Sequence, residues 1–355
     1  MKKIVLAIMA AFTITAAQAQ DSLSTESWFK KNKVFQNLDL SVTAGTTGIG
    51  IDVASKIGDY VQLRAGYEYM PRFQKSLFFP VEVGGQPARQ YDADGNRIET
   101  RFDRLAKILT EVTGFQVQDE VEMVGKPTIN NFKFLVDVFP FKNNKHWHFT
   151  AGFYWGPSQF AYAENAITAS TSLVAVGLYN SMYYHAVYDL PIYEGTTVIT
   201  EEMRNKFLSY GRMGFPIGEF THDIYGYFKE DVYGEWGEVV HKAGEYGLIH
   251  YKGETYNMEP DADGTVRVRA KSNSFKPYLG FGYGGRLLKN RDDWHVSFDA
   301  GAMFWGGTPA LYTHDGINLT EDITNARGKV GDWIDLLSGV KVFPVLSVRF
   351  TKTIF

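Results

Sequence analysis

The sequence predicts an all-β chain that closes into an antiparallel transmembrane β-barrel of eight strands, with long, partly helical extracellular loops. Three observations carry this. Strict two-residue alternation of apolar and polar side chains recurs in eight segments, short polar turns alternate with very long connections, and bulky aromatics mark both ends of the apolar faces. The composition agrees: of 355 residues 35 are Gly and 15% are aromatic, while only 21% are charged.

The chain opens on an export signal. Lys2 and Lys3 precede an apolar run from Ile4 to Ala17, and Ala17-Gln18-Ala19 is a small-x-small cleavage site. Residues 1–19 are therefore read as a cleaved signal peptide, and 20–37 as a periplasmic segment carrying Trp28, Phe29 and Phe35. The run falls short of the roughly 20 residues that a spanning helix needs. The absence of Cys excludes a lipid anchor, disulfides, thiolate zinc sites and cysteine nucleophiles. A formal charge of −4, which becomes −6 without Lys2 and Lys3, argues against a nucleic-acid partner.

Residues 38–355 are read as the barrel, strand by strand. Leu38, Leu40, Val42 and Ala44 oppose Asp39, Ser41 and Thr43, and Ile49, Ile51 and Val53 oppose Gly50 and Asp52 across a turn at Gly45-Thr46-Thr47-Gly48. In Tyr60–Met70 the apolar face Val61, Leu63, Ala65, Tyr67, Tyr69 backs onto Gln62, Arg64, Gly66 and Glu68. Asn131–Phe139 sets Phe132, Phe134, Val136 and Val138 against Lys133 and Asp137. His146–Trp155 sets Trp147, Phe149, Ala151, Phe153 and Trp155 against His146, His148, Thr150 and Tyr154. Lys276–Arg286 and Trp294–Phe304 repeat the pattern with many glycines on the polar face, and Gly339–Phe355 closes the series. Segments of about 9–11 residues suit tilted membrane strands.

The turns near Lys56–Asp59, Lys142–Lys145 and Lys289–Asp293 are short and polar. Between them lie loops near 71–128, 159–274 and 306–337. Short turns on one rim and long loops on the other are the layout of an outer-membrane barrel, with the long loops facing outward. A soluble sandwich would show the same alternation. The aromatics decide for lipid. Tyr60, Trp147 and Trp294 start strands after short turns, and Tyr67, Tyr69, Trp155 and Phe304 sit at the opposite ends, so two girdles flank a smaller aliphatic middle.

The opposite faces then fill the lumen. They carry Arg64, Lys133, Lys276, Arg286, Lys341 and Arg349 against Asp39, Asp52, Glu68, Asp137 and Asp299. An eight-stranded barrel is only wide enough for side chains, so these charges are expected to pair into a plug. His146, His148 and His295 all fall near the periplasmic rim, where no metal or catalytic role is expected.

The chain ends in Phe355 after the amphipathic run Val345-Leu346-Ser347-Val348-Arg349-Phe350-Thr351-Lys352-Thr353-Ile354. With the export signal and the eight alternating segments, this resembles the small Gram-negative outer-membrane barrels of the outer-membrane protein A type. That resemblance implies that the terminal Phe355 is read by the barrel-assembly machinery during insertion into outer-membrane lipid. It implies the barrel only, with no peptidoglycan-binding domain. Lys352 falls on the Phe350 side, so a bulge or a snorkelling lysine is expected there.

Loops of this length should carry elements of their own. Phe102–Gly114 reads as an amphipathic helix with a Gly cap; Ala166–Tyr184 and Glu201–Tyr210 are further helix candidates, and Val266–Ala270 extends the sixth strand upward. Two Asp-Ala-Asp-Gly runs, at Asp92–Gly95 and Asp261–Gly264, lack the twelfth-position Glu of a calcium loop and read as turns. Tyr-rich loops suit an extracellular protein or glycan partner. The leading expectation is a structural or surface-interaction role carried by the outer loops, with no cofactor. A narrow porin-like channel and a barrel enzyme acting on lipid or peptide are the alternatives, and no Ser or Asp spacing singles out a catalytic group.

Overall fold

The computed structural model describes residues 35, 37–194, 197–229, 231–234 and 238–355. The expected signal peptide and most of the 20–37 segment lie outside the described residues.

The chain opens with β1 (Asp39–Gly45), β2 (Gly48–Ile57) and β3 (Val61–Tyr69), followed by β4 (Lys75–Pro80), helix α1 (Arg101–Thr113) and β5 (Glu120–Pro127). Next come β6 (Asn130–Val138), β7 (Trp147–Trp155), β8 (Gln159–Asn165), α2 (Ile167–Val187), α3 (Glu201–Tyr210), β9 (Met213–Phe220) and β10 (Thr255–Met258). The last stretch holds β11 (Arg267–Lys271), β12 (Phe275–Leu288), β13 (Arg291–Phe304), β14 (Ala310–Thr313), α4 (Gly328–Gly339) and β15 (Val342–Thr353).

Eight strands close an antiparallel barrel in the order β1-β2-β3-β6-β7-β12-β13-β15, and β15 returns to β1 with Arg349 opposite Thr43. Each predicted segment supplies one strand. Closure leaves no unpaired edge, which a lipid-embedded sheet requires. The outer wall exposes Leu40, Val42, Ile51, Phe149, Leu279, Phe298 and Leu346, while their neighbours in sequence point into the lumen. Phe149, Phe281 and Phe298 are exposed midway along their strands, so the middle of the wall is mixed rather than purely aliphatic. The eighth strand begins at Val342, not Gly339, because the preceding residues coil into α4.

The long connections do not hang loose. Five barrel strands continue beyond the rim as a five-stranded sheet in the order β14-β11-β8-β5-β4. Each member adjoins its barrel strand in sequence: β4 follows β3, β5 precedes β6, β8 follows β7, β11 precedes β12 and β14 follows β13. The wall therefore rises as a trough, open where β1, β2 and β15 have no extension. The Val266–Ala270 extension is β11 in this sheet. A second sheet built on β9 and β10, with Glu82–Val83, Gln86–Pro87 and Ile323–Thr324 alongside, covers the trough together with the helices.

The three expected helices form within a few residues of their predicted limits. Thr100 and Asp103 make a reciprocal capping box at the start of α1, and Gly114 ends it with φ of 73°. Helix α2, without Asp, Glu, Lys or Arg, is embedded: Leu173, Val176 and Tyr179 are fully buried with Leu105, Leu109, Met213 and Phe220 in one apolar core. This core belongs entirely to the loop residues. Both Asp-Ala-Asp-Gly runs close as turns, with Gly95 donating to the Asp92 carbonyl and Gly264 to that of Asp261.

Candidate functional site: a filled lumen beneath an apolar chamber

The lumen is crossed by a charged lattice. Lys133 on β6 reaches Asp52 on β2 at 2.9 Å and also bonds Glu68 on β3. Arg64 on β3 donates to Asp137 at 2.9 Å, and Thr150 on β7 donates to the same carboxylate at 2.7 Å. From the far wall Arg349 approaches Asp137 and Asp299, both at 3.4 Å, and its Nε donates to Ser297 at 3.0 Å. His148 donates to Asp299 at 2.6 Å. Asp39 accepts from Gln62 at 2.7 Å and from Thr353 at 2.6 Å. Among the described residues Lys276 meets no carboxylate; its Nζ lies 3.4–3.5 Å from oxygens of Asn131, Pro157 and Ser274. Buried ions persist only when so surrounded.

Two lumen residues expected in this lattice are elsewhere. Arg286 is exposed at the short-turn rim and pairs with Asp292 at 2.9 Å, and Lys341 is exposed before β15 begins. Alternation assigns a face; it does not say where along the strand the membrane ends. Conversely, His148 was expected at the rim but is buried in the lattice. His146 stays at the rim and contacts the Gly284 carbonyl at 2.7 Å, and His295 is half-buried on β13. Among the described residues no group of three or more His, Asp or Glu is placed to hold a metal.

Beside the charges part of the lumen is apolar. Leu135, Tyr154, Tyr278, Met303 and Val345 pack together, the two tyrosine rings edge to face at 5.4 Å. Phe343 then meets Trp305 at 5.7 Å, and Trp305 meets Phe160 at 4.1 Å, which joins this cluster to the body above. Glycines on the lumen face make room for these side chains. A Cβ on Gly282 would stand 2.4 Å from the His148 ring, and one on Gly66 would collide with Asp52. At the opposite, short-turn rim a polar vestibule of about 380 Å³ ends on His148, Ser297 and Arg349.

On the outer surface, Tyr60, Tyr67, Tyr69, Trp147, Trp155 and Phe304 are exposed, in two groups toward the two rims. Trp294 is half-buried, because the Lys352 ammonium lies over its ring at 5.3 Å. The register from Trp294–Lys352 to Phe304–Val342 runs without a shift, so Lys352 snorkels and no bulge forms. Tyr283, Phe132 and Phe275 join these groups; Tyr283 packs on Trp147 at 5.0 Å, a contact that crosses between two strands. Phe355 is exposed past the end of β15, and its carbonyl accepts from Leu38 N–H at 3.1 Å.

The trough above the barrel encloses an apolar chamber of about 350 Å³. One wall is the inner face of the extension sheet, with Leu77, Met123, Ala163 and Val268; the second is Phe215, Ile217 and Met258; the third is α4 with Val330, Trp333 and Ile334. Lys329 at the start of α4 donates to the Phe78 carbonyl at 2.9 Å and ties this helix to the trough's edge. No single sequence segment foreshadows the chamber, since its walls come from elements between Leu77 and Ile334, of which only Val266–Ala270 reads as a strand in the sequence.

No family model matches the chain, and no curated protein matches it. Among solved structures it is similar to the crystal structure of Acinetobacter baumannii CarO2, at 13% identity and a TM-score of 0.36 over 91% of this chain and all of that one. It is also similar to that of Acinetobacter baumannii CarO, at 14% identity and a TM-score of 0.33 over 89% of this chain and 97% of that one. The eight-stranded barrel assigned here rests on its own hydrogen-bond ladder.

Proposed function

We propose that the chain is an integral outer-membrane protein of the small-barrel type, similar in its barrel to outer-membrane protein A. Its lumen is a structural plug, and its outward body carries a surface-interaction role. The observation that supports this best is the division of labour between two interiors. The barrel interior is filled by paired charges and by the cluster Leu135, Tyr154, Tyr278, Met303 and Val345, while the long connections bury a separate apolar core of their own. A body with that much ordered structure positions a surface rigidly, as binding requires. Tyr60, Trp147 and Trp294 at one rim, and Tyr67, Tyr69, Trp155 and Phe304 at the other, then anchor the wall at the two membrane interfaces.

The channel reading draws on the vestibule at the short-turn rim, which enters the lumen from that side. Planar-bilayer recording of the reconstituted mature chain separates the two. A silent bilayer after verified insertion is expected; discrete openings would replace the plug with a pore. Surface labelling of an epitope inserted after Asp94 in intact cells tests the outward orientation of the long connections.

A further inference from the structure

We propose that the chamber above the barrel binds a single-chain amphiphile with an anionic head group, its acyl chain inside and its carboxylate or phosphate at the mouth. The inference deepens the outward-body reading and rests on it.

Three features converge. The chamber is lined almost without polar atoms, and its volume of about 350 Å³ falls within the roughly 300–1,000 Å³ of small-molecule pockets. An apolar cavity that size excludes ordered water, so an apolar occupant is the complementary one. Its mouth lies at the barrel rim: Phe73 and Lys75 follow β3 closely, Pro127 ends β5, and the register sets Lys75 opposite Gly125. The mouth therefore opens where the wall's outer aromatics, Tyr67, Tyr69 and Phe132, meet the membrane surface. Finally, the mouth is cationic. Lys75, on the chamber face of β4 with Leu77 and Phe79, is exposed and has no ion-pair partner among the described residues. Exposed Phe73 and Trp333 beside it offer apolar contact to the first carbons of a chain. An amphiphile placed tail-in satisfies both the dry walls and the Lys75 ammonium, which a neutral sugar does not.

The test uses the full mature chain in phosphatidylcholine nanodiscs, with tritiated dodecanoate as probe and dodecyl phosphate, dodecanol and dodecylamine as competitors. Saturable binding of one dodecanoate per chain, above that of empty nanodiscs, is expected. Dodecyl phosphate should compete as well as dodecanoate, and dodecylamine should compete poorly. Ala163→Trp, which fills the chamber, should weaken binding about tenfold or more. Lys75→Gln touches no buried group and should weaken dodecanoate about threefold while leaving dodecanol competition unchanged. Retained heat-modifiable gel mobility reports that each variant is folded. Binding no greater than in empty nanodiscs overturns the site, and equal competition by dodecylamine overturns the anionic head group. Either result leaves bilayer insertion and silence, which test the outward-body reading, as separate measurements.

Discussion

Arg349 and Asp137 meet inside the barrel, guanidinium Nη1 to carboxylate Oδ2 at 3.4 Å, from β15 and β6. These strands are four places apart in a ring of eight, so the contact spans the lumen. Asp137 is fully buried and also takes the Arg64 guanidinium and the Thr150 hydroxyl. It is the point through which the two halves of the wall are tied.

Asp137→Ala should therefore destabilise the barrel by about 3–5 kcal/mol, because it takes from the buried Arg64 guanidinium its carboxylate and leaves Arg349 with Asp299 alone. Arg286→Ala removes an ion pair exposed at the rim, and the change should stay within about 0.5 kcal/mol. Urea unfolding in lipid vesicles, followed by tryptophan fluorescence, gives both values. Equal effects of the two substitutions would show that the lattice carries no special share of stability.

Glycine on the lumen face is a space requirement. At Gly282 a Cβ would lie 2.4 Å from His148 and 2.5 Å from the Asp299 carboxylate, so a β-branched residue has to break that hydrogen bond or displace the ring. Gly282→Val should cost about 1–3 kcal/mol as an overpacked interior does. Gly58, in a turn with nothing near its Cβ position, is the contrasting site in space, although its φ of 67° still disfavours a side chain. The same unfolding assay applied to Gly282→Ala and Gly282→Val should show a loss that grows with side-chain size. A flat response would mean that the lumen has slack there.

The barrel was readable because two solvents impose the period. Hydrocarbon outside and packed charge inside force Tyr67 and Glu68 onto opposite faces, and the same logic ran through all eight strands. Arg286 and Lys341 mark its limit: alternation continued through both, but nothing in the pattern said that the strand had left the lumen. Asp52, Glu68 and Lys133 were legible as lumen charges, whereas the pairing of Lys133 with both carboxylates follows from the register of three strands. The outer body was legible only where a signal is local. The amphipathic spacing of Phe102–Gly114, closed by Gly114, announces α1. Ala163 and Val268, which face each other in the extension sheet, are 105 positions apart and carry no mark of that pairing.

Helix α1 offers the cleanest local test outside the membrane. Thr100 accepts from Asp103 N–H while the Asp103 carboxylate accepts from Thr100 N–H at 2.8 Å, which satisfies two first-turn donors. Thr100→Ala should weaken the helix by about 1 kcal/mol. Gly114→Ala should cost a similar amount, since φ of 73° strains any Cβ. Hydrogen exchange of the α1 amides should quicken about fivefold in each variant. Barrel amides should be unchanged, because α1 packs against the loop body and not the lumen.

Acid should loosen the outer body through Asp119. Arg89 donates to it from Nε at 2.7 Å and from Nη2 at 2.8 Å, and Arg97 adds a contact at 3.2 Å. The Arg89 hydrogen bonds, opposed in part by burial and reinforced by both guanidinium charges, hold the Asp119 carboxyl below the usual carboxylate range. A carboxyl with a lowered folded-state pKa stabilises fully above its unfolded value, near 3.9, and loses that contribution as pH falls through the folded value. Arg89 is partly exposed, so the pair's contribution is about 0.5–1 kcal/mol. At pH 7, Arg89→Ala should lower resistance of the Glu82–Asp119 region to proteolysis by about two- to fivefold relative to the parent chain. The difference should hold at pH well above the unfolded value and disappear as pH falls through the lowered folded-state value, where parent and variant both lack the ionised carboxylate. A gap that stays constant across that range would mean that Arg89 acts by packing instead of charge.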